Sequence, residues 1–144
     1  MTPDEIAQAC ARVMYAEDVA ARNVGIEIAE VRAGYSRLTM PVRPEQANGL
    51  GLCHGGFIFL LADTALAYAS NSRNQRAVAA GATIDFVAPA YSGDTLTAEG
   101  VELHRGGRTA LFDVRVTDQN GRQVALLRGK TSTIKGHFIE ESQS

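Results

Sequence analysis

The stretch Gly55-Gly-Phe-Ile-Phe-Leu-Leu-Ala-Asp63-Thr-Ala-Leu-Ala-Tyr-Ala-Ser-Asn71 predicts a helix, from Gly55 or Gly56 to about Ser72, that is apolar on every side. A helix without a polar face is stable only when other elements cover it all round. The sequence that follows offers strands for that cover. Ala82, Ile84, Phe86 and Ala88 alternate with Thr83 and Asp85, and Ser92-Gly93-Asp94 turns the chain into a strand from Thr95 to His104. Arg105-Gly106-Gly107 leads into Ala110 to Thr117, and the hairpin signal Asn120-Gly121 into Gln123 to Ile134. No helical pattern separates these four strands, so they should form an antiparallel sheet. The apolar phase changes at Gly100, from Leu96 and Ala98 to Val101 and Leu103, which predicts a bulge there.

The first half supplies a second helix and a hairpin. Thr2 and Glu5 have capping-box spacing around Pro3, and Ile6, Ala9, Cys10, Val13 and Met14 form one apolar stripe, so a surface helix is expected over about 2–20. Val24, Ile26 and Ile28, then Ser36, Leu38, Met40 and Val42, recur at a period of two on either side of Ala33-Gly34. Pro41 and Pro44 close the hairpin, and a Gly-rich loop runs from Glu45 to His54. The expected class is α+β, an antiparallel sheet wrapped around a long central helix. With 144 residues the chain is expected to be one domain, with a core over 24–135 and a short polar tail at 140–144.

Charge and cysteine content narrow the function. Fourteen Lys and Arg against 16 Asp and Glu leave a net charge of −2, without the basic field that nucleic-acid binding requires. Cys10 and Cys53 make neither a disulfide framework nor a zinc cluster, and no metal is expected. Asp4 and Glu5 near the start argue against a secretory signal, and the four glycines within Gln46 to Ala62 argue against a membrane span, so a cytoplasmic protein is expected.

Asp63 is the only charged side chain on the apolar helix. An unpaired buried carboxylate costs several kcal/mol unless it is neutralised or hydrogen-bonded. Either it bonds a neighbouring hydroxyl or faces an interface and fixes register, or it serves as a general base or nucleophile, with a pKa that burial raises toward working pH. The helix start offers a complementary feature. Gly55 and Gly56 have no side chains to block approach, and the first helical N–H groups lack intrahelical partners, which makes a potential oxyanion hole. Eight residues along a helix span roughly 12 Å, too far for Gly55 and Asp63 of one chain to touch a single carbonyl. If both act, two helices must run antiparallel across a two-fold axis.

The loop Asn48-Gly-Leu-Gly-Leu-Cys-His54-Gly55-Gly56, the segment Ala62-Asp63-Thr64-Ala65, the tail Ala69-Ser-Asn71-Ser72 and the strand Thr83-Ile-Asp-Phe86 resemble the hotdog-fold acyl-CoA thioesterases. The resemblance extends from Met14-Tyr15 through Gly93-Asp94-Thr95-Leu96-Thr97-Ala98 to Val124-Ala125-Leu126-Leu127-Arg128-Gly129-Lys130, and is strongest to the PaaI type of phenylacetate degradation. It implies a hotdog fold and hydrolysis of aromatic CoA thioesters, phenylacetyl or hydroxyphenylacetyl, to free acid and CoA. Asp63 would activate water or attack the thioester, the Gly55 N–H would polarise its oxygen, and Asn48 would position substrate or water. Thr64 would be a secondary polar contact, with His54 and Gly56 as further substrate-binding candidates. No cofactor is implied, since coenzyme A is part of the substrate. The expected partners are that substrate and further copies of the chain, in dimers with shared sites that pair into a tetramer. The chain departs from the family pattern after Met14-Tyr15, where Ala16-Glu17-Asp18 stands in place of an expected asparagine.

Other features have competing readings. Cys53 and His54 suggest a thiol nucleophile, but adjacent residues of an extended segment point to opposite sides, so His54 is expected to tie down the loop. Gly49, Gly51 and Gly55 before a helix suggest dinucleotide binding, but the parallel strand which that fingerprint needs is missing. Arg105, Arg108, Arg128 and Lys130 are candidates for CoA phosphates, against the ordinary alternative of solvated strand charge. Tyr68 and Phe57 could line an aromatic pocket or be plain core. A binding module that holds acyl-CoA without hydrolysis, and a hotdog dehydratase, are the alternative functions; the helix offers no His/Asp or His/Glu pair for the latter.

Overall fold

The computed structural model describes residues 1–141, so the end of the expected polar tail, 142–144, lies outside the described residues. Thr2 opens α1 (Pro3–Glu17) with a reciprocal cap: the Glu5 N–H donates to Thr2 Oγ1 at 3.1 Å and the Thr2 N–H to Glu5 Oε1 at 2.9 Å. The helix stops short of the expected residue 20. Asp18 leaves helical geometry and its Oδ1 accepts the Ala21 N–H at 3.2 Å, which starts a separate helix α2 (Val19–Asn23).

The hairpin β1 (Glu27–Arg32) and β2 (Tyr35–Pro41) turns at Ala33-Gly34 as expected, although the first strand begins at Glu27 rather than Val24. The central helix α3 (Gly55–Ser70) ends two residues before Ser72, where Asn71–Arg73 tighten into a 3₁₀ turn. Then come β3 (Ala77–Phe86), β4 (Thr95–Gly106), β5 (Thr109–Thr117) and β6 (Gln123–Thr133). The six strands form one antiparallel sheet in the order β1-β2-β4-β5-β6-β3.

One face of the sheet packs on α3. Leu38, Met40, Leu96, Ala98, Phe112, Val114 and Val116 point inward against Leu61, Ala65 and Leu66, all fully or almost fully buried. Each large side chain withdrawn from water in this way contributes about 1.5–3 kcal/mol. Two glycines set how closely the helix approaches. A methyl group on Gly129 would sit 2.6 Å from Leu66 Cδ2, and one on Gly100 would sit 3.0 Å from the Ala65 carbonyl oxygen. Gly100 is therefore a contact point and not a bulge. The register runs regularly through it, so alternation leaves Val101 exposed on the outer face, and it shifts only between Glu102 and His104, where Leu103 is exposed.

An apolar helix has no hydrophobic face to fix its rotation, and here buried hydrogen bonds do so. Ser36 Oγ donates to the Ala65 carbonyl at 2.6 Å and Ser70 Oγ to Thr131 Oγ1 at 2.8 Å, and at the end of the helix the Ala77 N–H of β3 donates to Asn71 Oδ1 at 2.9 Å. Such bonds contribute about 0.5–1.5 kcal/mol each and cost more when broken inside a core.

The cover of α3 is incomplete. Gly56 and Phe59 are exposed and Leu60, Asp63 and Ala67 half-buried, one stripe at three- and four-residue steps. Beside it, β3 is an edge strand with eight of its ten residues exposed, Val78 and Phe86 among them. The all-round burial expected for α3 is thus not achieved within one chain, because β3 has no neighbour on its outer side. Among the described residues, no helix is long and apolar enough to cross a membrane.

Candidate active site

The loop before α3 is fixed by its own backbone. Asn48 Oδ1 accepts the N–H groups of Leu50 at 2.9 Å and Leu52 at 3.2 Å, and Gly51, at φ +78, closes the turn with its N–H on the Asn48 carbonyl. The Cys53 N–H donates to the Ala90 carbonyl and the His54 N–H to the Gln46 carbonyl, both at 2.8 Å. This delivers His54 to the N-cap of α3, where its Nδ1 accepts the Gly56 N–H at 3.2 Å. The Phe57 and Ile58 N–H groups turn back to the His54 carbonyl. Among the described residues, the Gly55 N–H has no acceptor. It is the open donor at the positive end of the helix dipole.

Gly55, Asn48, Ile58 and Phe86 line a hollow of ≈ 340 Å³. Asn48 brings its side chain to the rim with Oδ1 committed to the loop, and among the described residues its Nδ2 donates to no protein acceptor. Asp63 opens elsewhere, into a hollow of ≈ 240 Å³ lined by Leu66, Ala67, Thr131 and the Ala77–Ala79 end of β3. Among the described residues its carboxylate accepts no hydrogen bond and pairs with no cation. Burial alone raises its pKa above the ordinary carboxylate value. The two hollows lie at opposite ends of β3, one beside Phe86 and the other beside Ala77.

The other candidates are placed as follows. Thr64 is buried and donates its hydroxyl to the Leu60 carbonyl at 2.6 Å, inside the helix. Cys53 is buried, and burial raises its thiol pKa, which disfavours the thiolate that nucleophilic attack would need. Tyr68 is core, its hydroxyl donating to Asp18 Oδ2 at 3.2 Å, and Phe57 packs half-buried against the core. Arg128 and Lys130 project from the outer face of the sheet, away from α3, where Arg128 pairs with Asp113 across the strands at 2.5 Å. Arg105 donates to Glu102 and to the Ser70 carbonyl, closing the far end of α3, and Arg108 is exposed in the β4–β5 turn. Among the described residues, no three His, Cys, Asp or Glu side chains are grouped to hold a metal ion. Phe86 and Ile58 also line the Gly55 hollow; the sequence gives Phe86 only a place in an alternating strand and assigns neither residue a role at the site.

The family model of the thioesterase superfamily matches residues 50–125, from the loop before Gly55 through Asp63 to the start of β6. The chain belongs to the thioesterase superfamily. This thioesterase is 43% identical over 132 residues to the acyl-coenzyme A thioesterase PaaI of Escherichia coli K12, covering 92% of this chain and 94% of that protein. The solved E. coli PaaI structure overlays it with a TM-score of 0.93 at 42% identity, over 94% of this chain and 99% of that one. A hypothetical thioesterase protein from Streptococcus pneumoniae, solved with coenzyme A, matches with a TM-score of 0.81 at 26% identity, over 86% of this chain and 98% of that one. The wrapped helix is accordingly the hotdog fold of these thioesterases, and the enzyme is a thioester hydrolase.

Proposed function

We propose that this thioesterase hydrolyses acyl-CoA thioesters, with arylacetyl groups such as phenylacetyl as the preferred class, in a site shared by two copies of the chain. The observation that carries the reading is the location of Gly55 and Asp63 beside opposite ends of an unpaired edge strand. Antiparallel pairing of two β3 strands about a two-fold axis lays the Phe86 end of one along the Ala77 end of the other. Each Gly55 hollow then faces Asp63 of the partner subunit. The same pairing satisfies the exposed edge and covers the open stripe of α3, two surfaces that a monomer would leave prone to aggregation.

In this arrangement the thioester oxygen accepts the Gly55 N–H while Asp63 of the partner subunit takes a proton from water. The resulting hydroxide attacks the carbonyl carbon, and the negative charge that develops on oxygen lies on the open donor. Collapse expels the CoA thiolate, which recovers the proton from Asp63, giving free acid and CoA thiol. Direct attack by Asp63 through an anhydride uses the same geometry. Asn48 Nδ2, left free by the loop, orients water or substrate. The E. coli relative named for acyl-CoA hydrolysis and the S. pneumoniae structure with coenzyme A support CoA as the leaving group. The description of the E. coli protein as part of the phenylacetic acid degradation operon supports the arylacetyl class.

Thiol release tests the reading. The purified protein should liberate free CoA from phenylacetyl-CoA, and Asp63→Asn should abolish release while leaving elution volume unchanged. Tight binding of phenylacetyl-CoA without release would make the protein a binding module.

A further inference from the structure

Phe86 ends β3 on the side of the sheet that faces the core, yet it is 52% exposed because α3 begins beside it with a residue that has no side chain. A methyl group on Gly55 would sit 3.2 Å from Phe86 Cζ and 3.5 and 3.6 Å from Cε1 and Cε2. The tip of the ring therefore rests on the backbone of the residue whose N–H is open. Phe86 is the one aromatic side chain among the residues that line the Gly55 hollow, beside the aliphatic Leu52, Ile58 and Val87 and the small Cys53, Ala88 and Ala90. A carbonyl that accepts the Gly55 N–H from within this hollow shares it with the ring. Neither of the other aromatic candidates lines this hollow: Tyr68 is fully buried and bound to Asp18, and Phe57 packs half-buried against the core.

We infer that Phe86 is the residue that sets acyl preference, its ring serving as the surface against which an aryl group one methylene from the carbonyl packs. The inference rests on the acyl-CoA reading above and deepens it. An aryl–aryl contact is favourable beyond the area it buries, whereas an alkyl chain gains only the area. The ring also keeps water from one side of the Gly55 donor, so its loss affects every substrate somewhat and aryl substrates most.

The test is the ratio of kcat/KM for phenylacetyl-CoA to that for hexanoyl-CoA, measured by thiol release on the full-length protein. Both values come from one sample, so an inactive fraction cancels. Phe86→Leu should lower the ratio about fivefold or more, and Phe86→Tyr, which restores the ring, should hold it within about twofold. If Phe86→Leu does not fold, Phe86→Met supplies the same comparison. A ratio unchanged in the ring-less variant, with the wild type active, overturns the role of Phe86 and leaves the thioesterase reading standing. A wild type that releases thiol from neither ester overturns both.

Discussion

His54 takes the Gly56 N–H onto its own Nδ1 at 3.2 Å and leaves the N–H of Gly55 without an acceptor among the described residues. The imidazole is thus a cap, and the N–H beside it is the donor proposed to hold the thioester oxygen. Asparagine caps helices well, so His54→Asn should keep most of the thiol-release rate, while His54→Ala should lose about 1 kcal/mol of stability in urea unfolding. A loss of activity in His54→Asn as complete as in Asp63→Asn would make the imidazole a catalytic base.

Gly55 occupies the first position of α3 after an extended His54, the place where proline is tolerated, and proline removes the N–H and nothing else of the helix ladder. Gly55→Pro should cost about 10²–10³ in kcat with the far-ultraviolet spectrum preserved. Gly55→Ala adds a methyl against Phe86 but keeps the donor, so it separates crowding from hydrogen bonding. Equal kcat losses in the two variants would show that the N–H carries no catalytic load.

Asp63 has its pKa raised by burial, and the sign of its effect on stability follows. The folded state binds the proton more tightly than the unfolded chain, so the cost of the charge is absent below the unfolded pKa, near about 4, and reaches its full size once pH exceeds the raised folded value. Asp63→Asn should therefore raise Tm at neutral pH, with the gain shrinking as pH falls from the raised folded value toward about 4 and gone below it. The wild-type kcat/KM should rise with pH along a limb set by the raised pKa. A Tm difference independent of pH would mean that burial does not tax the charge.

What the sequence disclosed depended on whether the cause was local. The apolar run around Asp63, the Ala33-Gly34 and Asn120-Gly121 turns and the Thr2 cap are local patterns, and each forms an element close to where the pattern places it. Gly100 was misread because its reason is the Ala65 carbonyl, 35 residues away in sequence and adjacent in space. Arg128 was a candidate for phosphate because its pairing with Asp113 becomes visible only once the β5–β6 register is known. The alternation around Phe86 gives it a strand position, and the hollow it lines depends on where α3 begins. An alternating strand shows which side a residue faces but not where the covering helix begins.

The shared site is tested most directly by mixing two inactive proteins. Gly55→Pro and Asp63→Asn chains, co-expressed with different tags, should each be inactive alone. A mixed dimer contains one site with both defects and one with neither. Random pairing should therefore restore about one quarter of wild-type thiol release, all of it in the fraction that carries both tags. A doubly tagged dimer without activity, or a full-rate monomer, would contradict the placement of Gly55 and Asp63 of the partner subunit in one site.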